Sequence, residues 1–245
     1  MNKHLLPIAV LFIVAVPLFL VTASVTWAVN DLRLYQHGFD KFDIAEASGI
    51  SDDGLMQASR GIRGYFNSRQ EPLQVRAVVF GREMEIFSPK EVAHMRDVKK
   101  LIWGVYVVGA VALVSIGSAF ALGYWRQGRA FTPTLARWAF WAGGLTVGLI
   151  AAIGLTALVA FDQLFLAFHQ LSFANDFWQL DPCCDYLIIM FPNGFWYDAT
   201  LFVGLVSILG GLLIAAAGAA YLLKTKRLAL PWSKAHEKTI EEAKA

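Results

Sequence analysis

Four stretches of this chain carry no Asp, Glu, Lys, Arg or His and are each long enough to cross a lipid bilayer: Leu5–Val29, Leu101–Gly123, Trp138–Phe161 and Ala199–Leu223. A crossing takes about 20 residues at a rise of about 1.5 Å each. Inside lipid every backbone N–H and C=O must also be paired, which a helix achieves by itself. The composition agrees: 57% of the 245 residues are apolar and only 16% are charged, against about 25% charged in ordinary soluble domains. That balance excludes a disordered chain and argues against a cytosolic globule. The net charge of +2 offers no phosphate-tracking surface, so nucleic acid is not an expected partner. The expectation is an all-α membrane protein, a four-transmembrane-helix bundle with a small α+β extracytoplasmic domain.

The first run has Lys3 before it and the small residues Thr22-Ala23-Ser24 within it, as a signal peptide would. At 25 residues it exceeds the usual apolar core of such a peptide, about 7–15 residues, and it is read as a retained helix. Gly143-Gly144, Gly210-Gly211 and the alanine run from Ala215 would let helices approach closely.

Basic residues set the expected topology. Arg126, Arg129 and Arg137 lie in the 124–137 loop without an acid, and Lys224, Lys226 and Arg227 open the 224–245 tail. The positive-inside bias places both segments, and the N-terminus, in the cytoplasm of a plasma (inner) membrane protein. Residues 30–100, with 11 basic and 11 acidic side chains, then form the outer domain. Residues 162–198, with five acids and no Lys or Arg, form an interfacial segment on the same side.

In the outer domain Ser51 can cap a helix with Leu55, Ala58, Ile62 and Phe66 on one face. After Pro72 two β-rich runs, Gln74–Phe80 and Glu83–Phe87, flank Gly81-Arg82, which suits a two-residue II′ turn with Gly first. Phe87-Ser88-Pro89-Lys90-Glu91-Val92 then combines an N-cap, a proline at the first helical position, a capping-box acid and a hydrophobic staple. One helix is expected to run from Pro89 into the second span, with His94 and Asp97 one turn apart on a shared face.

The second exterior piece is too apolar for a solvated loop and too interrupted for a span. A helix is expected to reach His169. An Asn175-Asp176 turn should follow, and a short interfacial helix with Asp181 as N-cap and Pro182 as its first residue. His94 lies seven residues before the second span and His169 eight after the third, so both stand roughly 10–12 Å beyond the apolar edge on one side. Phospholipid ester bonds share that layer, and two imidazoles there can act as general base and general acid. Singly, each has the plainer reading of a solvated or hydrogen-bonded interfacial side chain. Asp97 has the alternative of answering Arg96 or Lys100; Asp176, Asp181 and Asp185 that of shaping turns. Adjacent Cys183-Cys184 is not a CxxC, and such neighbours rarely pair. GxSxG, HExxH and GxxxxGK are missing, so acyl transfer here would lack the common serine nucleophile.

The stretch Phe87-Ser-Pro-Lys-Glu-Val-Ala-His94-Met-Arg-Asp97-Val-Lys-Lys resembles the segment leading into the second helix of the lipoprotein intramolecular transacylases (Lit). Phe168-His169, Asn175-Asp176-Phe-Trp178-Gln-Leu-Asp181-Pro182 and Asp185-Tyr-Leu-Ile-Ile-Met-Phe-Pro192 are similar to that family's signature before the fourth helix. Asn193 departs from it, standing where an acid is expected, and the cysteine pair is another local variation. The resemblance implies transfer of the sn-2 acyl chain of a lipoprotein's diacylglyceryl-cysteine onto that cysteine's α-amino group, giving a lyso-form lipoprotein. It implies His94 and His169 as the catalytic pair. Asp97, Asn175, Asp176, Trp178, Asp181 and Asp185 follow as supporting or substrate-binding positions.

Residue chemistry suits that reaction: donor ester and acceptor amine belong to one molecule, so no acyl-enzyme is required. Asp97 is a candidate to orient His94, and Asn175 or Trp178 to donate to the oxyanion. No cofactor is called for, and the expected partners are diacylglyceryl-modified lipoproteins and the bilayer. Two rival classes are a metal-binding membrane protein using His94 and His169, and a non-catalytic lipid or lipoprotein binder.

Overall fold

The computed structural model describes residues 6–225. Lys3, Lys226, Arg227 and the charged tail from Pro231 to Ala245 lie outside the described residues, as does Leu5 at the start of the first apolar run. In chain order the helices are α1 (Leu6–Asn30), α2 (Leu32–Lys41), α3 (Ile44–Ser48) and α4 (Asp52–Phe66). The strands β1 (Arg76–Val79) and β2 (Arg82–Glu85) follow, then α5 (Pro89–Gln127), α6 (Thr132–Ser172), α7 (Tyr186–Met190) and α8 (Asn193–Lys224). Leu6–Asn30, Pro89–Ser172 and Asn193–Lys224 are long and apolar enough to cross a membrane. The middle stretch holds α5 and α6, joined through a 3-10 turn at Gly128–Phe131.

Each long helix runs past the apolar edges read from sequence. The expected 124–137 loop shrinks to Gly128–Phe131, because α5 continues to Gln127 and α6 begins at Thr132. Helix α8 begins at Asn193, six residues before Ala199, where the Pro192 carbonyl accepts the Phe195 amide at 2.9 Å. In α6, Ala160 leaves helical geometry (φ −147°, ψ 45°), placing a kink at the end of the third apolar run.

The chain forms two compact units. One comprises residues up to Leu20, Val111–Leu149 and Ser207 onward. Its centre is aromatic: Phe131 is fully buried, edge-on to Trp138, which also meets Phe12. Backbone contact is close here. A Cβ added at Gly143 would lie 2.3 Å from the Gly211 carbonyl oxygen, and one at Gly218 2.5 Å from that of Ala136. Gly144, expected to serve the same purpose, faces open space.

The other unit comprises Val21–Ala110 and Ile150–Val206. Ser51 caps α4 by accepting the Gly54 amide at 3.3 Å, and Leu55, Ala58, Ile62 and Phe66 are buried together with Val75, Val79, Tyr35 and Phe191. The hairpin forms one residue away from its expected place. Val79 pairs with Arg82, so the loop is Phe80-Gly81, with φ of 46° and 81°. Positive φ at both central residues is the I′ arrangement, with Gly second. Phe80 accepts that conformation while its ring covers Gly49 and its amide donates to the Gly49 carbonyl at 2.9 Å.

The first half of helix α5 ties the segments of this unit together. Ser88 N donates to Glu91 Oε2 at 2.7 Å and Glu91 N to Ser88 Oγ at 3.3 Å, the reciprocal capping box. Further along, Lys99, Trp103 and Tyr106 form a stripe at helical spacing. Lys99 Nζ donates to the Gln70 carbonyl at 2.6 Å, Trp103 Nε1 to the Phe66 carbonyl at 2.8 Å, and Tyr106 Oη to Asn67 Oδ1 at 3.2 Å. Trp103 thereby satisfies a carbonyl that the end of α4 leaves unpaired, while Lys99 and Tyr106 hold the residues that follow it.

Candidate active site at the paired histidines

His94 sits on α5 one turn beyond its capping box, and His169 on the last turn of α6. Their ring centroids are 6.1 Å apart, at 31° between planes. Phe173 stands edge-on to His94 at 5.0 Å and contacts His169 at 5.7 Å. Phe165 (4.4 Å), Trp178 (5.1 Å) and Phe168 (5.3 Å) complete an aromatic box around His169. His94 is 6% exposed and His169 9%, so neither is a solvated interfacial side chain.

The hydrogen bonds distinguish the two rings. His169 Nδ1 lies 2.8 Å from the Phe165 carbonyl oxygen, which can only accept. Nδ1 therefore carries the proton, and Nε2 keeps its lone pair while the ring is neutral. His94 Nδ1 is buried without a partner. A buried unpaired acceptor is tolerated better than a buried unpaired N–H, which places the His94 proton on Nε2. The pair thus offers one acceptor and one donor.

Both imidazoles are held neutral. His94 lies outside the apolar span; burial pushes its pKa down to about 4, the neighbouring His169 adds to that, and Asp97 opposes it. Burial also lowers His169, against the raising effect of its bond to the Phe165 carbonyl.

Asp97 does not hydrogen-bond His94. Its Oδ2 accepts Asn175 Nδ2 at 2.9 Å and its Oδ1 accepts Lys100 Nζ at 2.8 Å. Burial acts to raise its pKa, but those two donors hold the carboxyl below its usual value. Asn175 is committed in turn, since its Oδ1 accepts the Phe177 amide at 3.0 Å. Asp97 and Asn175 together clamp the loop carrying Phe173 and Trp178 to α5, a supporting place rather than contact with the imidazoles. Asp176 Oδ1 accepts Gln179 Nε2 at 2.9 Å.

Asp181 and Asp185 serve the far end of the loop. Asp181 is not a helix cap: its carboxylate accepts the Cys183 amide at 2.9 Å, while Asp185 Oδ2 accepts the Asp181 amide at 2.7 Å. That closed turn uses up Pro182-Cys183-Cys184, so α7 starts only at Tyr186, with Asp185 as N-cap. Both cysteines are free and exposed.

Sequence reasoning missed Phe173 and Phe165 as parts of the site; the aromatic density of this segment was the signal, but not which rings turn inward. It also missed the second task of Glu91. That buried carboxylate accepts the Leu187 amide at 2.6 Å besides closing the capping box, so it joins the start of α5 to α7. Among the described residues no group of three or more His, Cys, Asp or Glu is placed to hold a metal ion.

A model of the family described as lipoprotein intramolecular transacylase Lit matches residues 10–196, more than half of the chain. The chain belongs to the Lit family. An in meso structure of the membrane integral Lit from Bacillus cereus resembles it with a TM-score of 0.77 at 19% identity, covering 94% of this chain and 100% of that one. Two further structures of the Bacillus cereus protein, with a histidine changed to arginine or to alanine, each give a TM-score of 0.70 at 20% identity. The former covers 90% of this chain and 92% of its own, the latter 91% and 94%. At these identities the likeness concerns the Lit fold.

A protein of Aquifex aeolicus (strain VF5) described as uncharacterized is 31% identical over 136 residues, 54% of this chain. The match spans 56% of that relative's length. Within this member of the Lit family the histidine pair, its aromatic box and the Asp97–Asn175 clamp all come from the unit that also holds the hairpin and α7.

Proposed function

We propose that the chain is an acyltransferase that moves the sn-2 acyl chain of a lipoprotein's diacylglyceryl-cysteine onto the cysteine α-amino group. The observation that carries this reading is the pair of buried imidazoles, ring centroids 6.1 Å apart, with His169 Nδ1 bonded to a backbone carbonyl and His94 Nδ1 unpaired. Family membership supplies the substrate class.

Donor and acceptor share one substrate molecule, so positioning alone can remove about 7–11 kcal/mol of the barrier. The α-amine, with a pKa of about 7.7–8.0, must lose a proton around attack. His169 Nε2 takes it as the nitrogen adds to the sn-2 ester carbonyl. The C–N bond forms and the C–O bond to glycerol breaks. His94 Nε2–H hydrogen-bonds the departing oxygen, and the proton held at His169 ends there as the hydroxyl of the lyso product. No acyl-enzyme intervenes, in keeping with the missing serine motif.

The chain is placed in the plasma membrane with four spans, the 3-10 turn at Gly128–Phe131 being the hinge between the second and third. Both termini are placed in the cytoplasm and the histidines at the outer face, as the basic residues Arg126, Arg129 and Arg137 favour. The test is expression in cells lacking other lipoprotein N-acylation, followed by the mass and fragments of one N-terminal lipopeptide. The expected product carries one N-acyl and one glyceryl O-acyl chain and is absent with His94→Ala or His169→Ala. A diacylglyceryl-cysteine with a free amine, despite folded protein in the membrane, overturns the assignment.

A further inference from the structure

A pocket of about 510 Å3 opens beside the histidine pair. Phe173 and Trp178, whose rings already touch the imidazoles, form part of its wall, with the side-chain amides of Gln170 and Gln179. Asp176 supplies the one charge among the lining residues. Gln179 occupies its Oδ1, and Oδ2 has no hydrogen-bond partner among the described residues. The nearby cation Lys90 is tied to the Gln179 backbone carbonyl. A carboxylate with an open oxygen, two aromatic rings and no lining cation is the composition that attracts an ammonium group.

We infer that this pocket is an ammonium subsite, in which Asp176, Trp178 and Phe173 receive the α-ammonium of the substrate cysteine before it reaches the histidines. The inference rests on the proposed function and deepens it. The amine arrives mostly protonated at neutral pH. Next to a carboxylate the charged form is favoured. Past Phe173, beside two neutral buried imidazoles, desolvation favours the free amine, so the ammonium leaves its extra proton to water at the pocket and His169 Nε2 stays free for the second proton, lost on attack. Capture and activation are thereby separated by the width of an aromatic ring.

The experiment uses the full chain in lipid nanodiscs and two diacylglyceryl-cysteine peptides that cannot be N-acylated by transfer. One has an N,N-dimethyl amine, which is mostly cationic at neutral pH; the other is N-acetylated and neutral. The wild-type protein is expected to bind the dimethyl peptide about tenfold more tightly, Asp176→Asn to bind both alike, and Asp176→Glu to restore the preference. Equal binding by the wild type, or a preference that survives Asp176→Asn, overturns the inference and leaves Asp176 as a turn residue bonded to Gln179. Turnover of the unmodified peptide, followed in parallel by mass, tests the transacylase reading separately. A cation preference without lyso product would refute that reading alone.

Discussion

His169 and Phe165 are joined by a hydrogen bond of 2.8 Å from ring Nδ1 to backbone carbonyl, one helical turn apart. The bond fixes which nitrogen of His169 can accept a proton, and in the proposed reaction it gives the two histidines different tasks. Replacing His169 by Gln or Ala should lower the rate by about 10²–10⁴, because neither side chain can take a proton near neutral pH. His94→Gln keeps an N–H donor and should retain at least about tenfold more activity than His94→Ala. Single-turnover rates on a diacylglyceryl peptide decide it; equal losses for His94→Gln and His94→Ala contradict the donor assignment.

Burial of His94 also carries a pH signature. Its folded-state pKa, about 4, lies below the ordinary 6.5. Between those values the unfolded chain binds a proton that the folded chain does not, so stability is full above pH 6.5 and falls as pH drops toward 4. A difference of that size corresponds to about 3 kcal/mol. Melting temperatures in detergent across that window should fall for the wild type and fall less for His94→Gln; parallel curves would show that His94 is not the group responsible.

Asn175 and Asp97 make a sharper charge test. Asn175→Asp puts a second carboxylate 2.9 Å from Asp97, whereas Asn175→Ala only deletes a hydrogen bond. Asn175→Asp should therefore lose more activity than Asn175→Ala, mainly in kcat, since the clamp positions Phe173 and Trp178 around the histidines. The order should weaken when Asp97→Asn is combined with Asn175→Asp, and a double variant as poor as the single one would remove the clamp from the account.

Helix contact is tested at adjacent glycines. Gly143→Ala drives a methyl group against the backbone oxygen of Gly211, 2.3 Å away, while Gly144→Ala meets nothing within 4 Å. The first should destabilise by about 1–3 kcal/mol, the usual cost of overpacking, and the second should be neutral or slightly stabilising. Thermal unfolding in lipid nanodiscs orders the two.

Local signals were legible and pairings between distant segments were not. The capping box at Ser88 and Glu91 formed as its residues dictate, because both partners lie within four residues. Helical rise alone counts His94 and His169 at similar distances from the ends of their apolar runs. Their facing was not legible, since it depends on how α5 and α6 turn about their axes. The hairpin slipped by one residue: Gly81 supplies positive φ at either position of a two-residue loop, and only the packing of Phe80 on Gly49 selects the register. Asp181-Pro182 has the composition of a helix start, but Asp185 answers the Asp181 amide and makes a closed turn instead. Asp97 had local candidates in His94 and Lys100 and bonds Lys100; its second oxygen goes to Asn175, 78 residues away, which no local signal indicates.

In the proposed reaction, acyl transfer occurs within one substrate molecule at the His94–His169 pair. The most direct measurement mixes two diacylglyceryl peptides, one with an isotopically labelled sn-2 chain and the other with a peptide of different mass, and follows the label by mass spectrometry. The label should appear only on the α-nitrogen of the peptide that brought it, with wild-type protein and not with His169→Ala. Labelled acyl chain on the other peptide's nitrogen, or unchanged transfer by His169→Ala, would contradict the account.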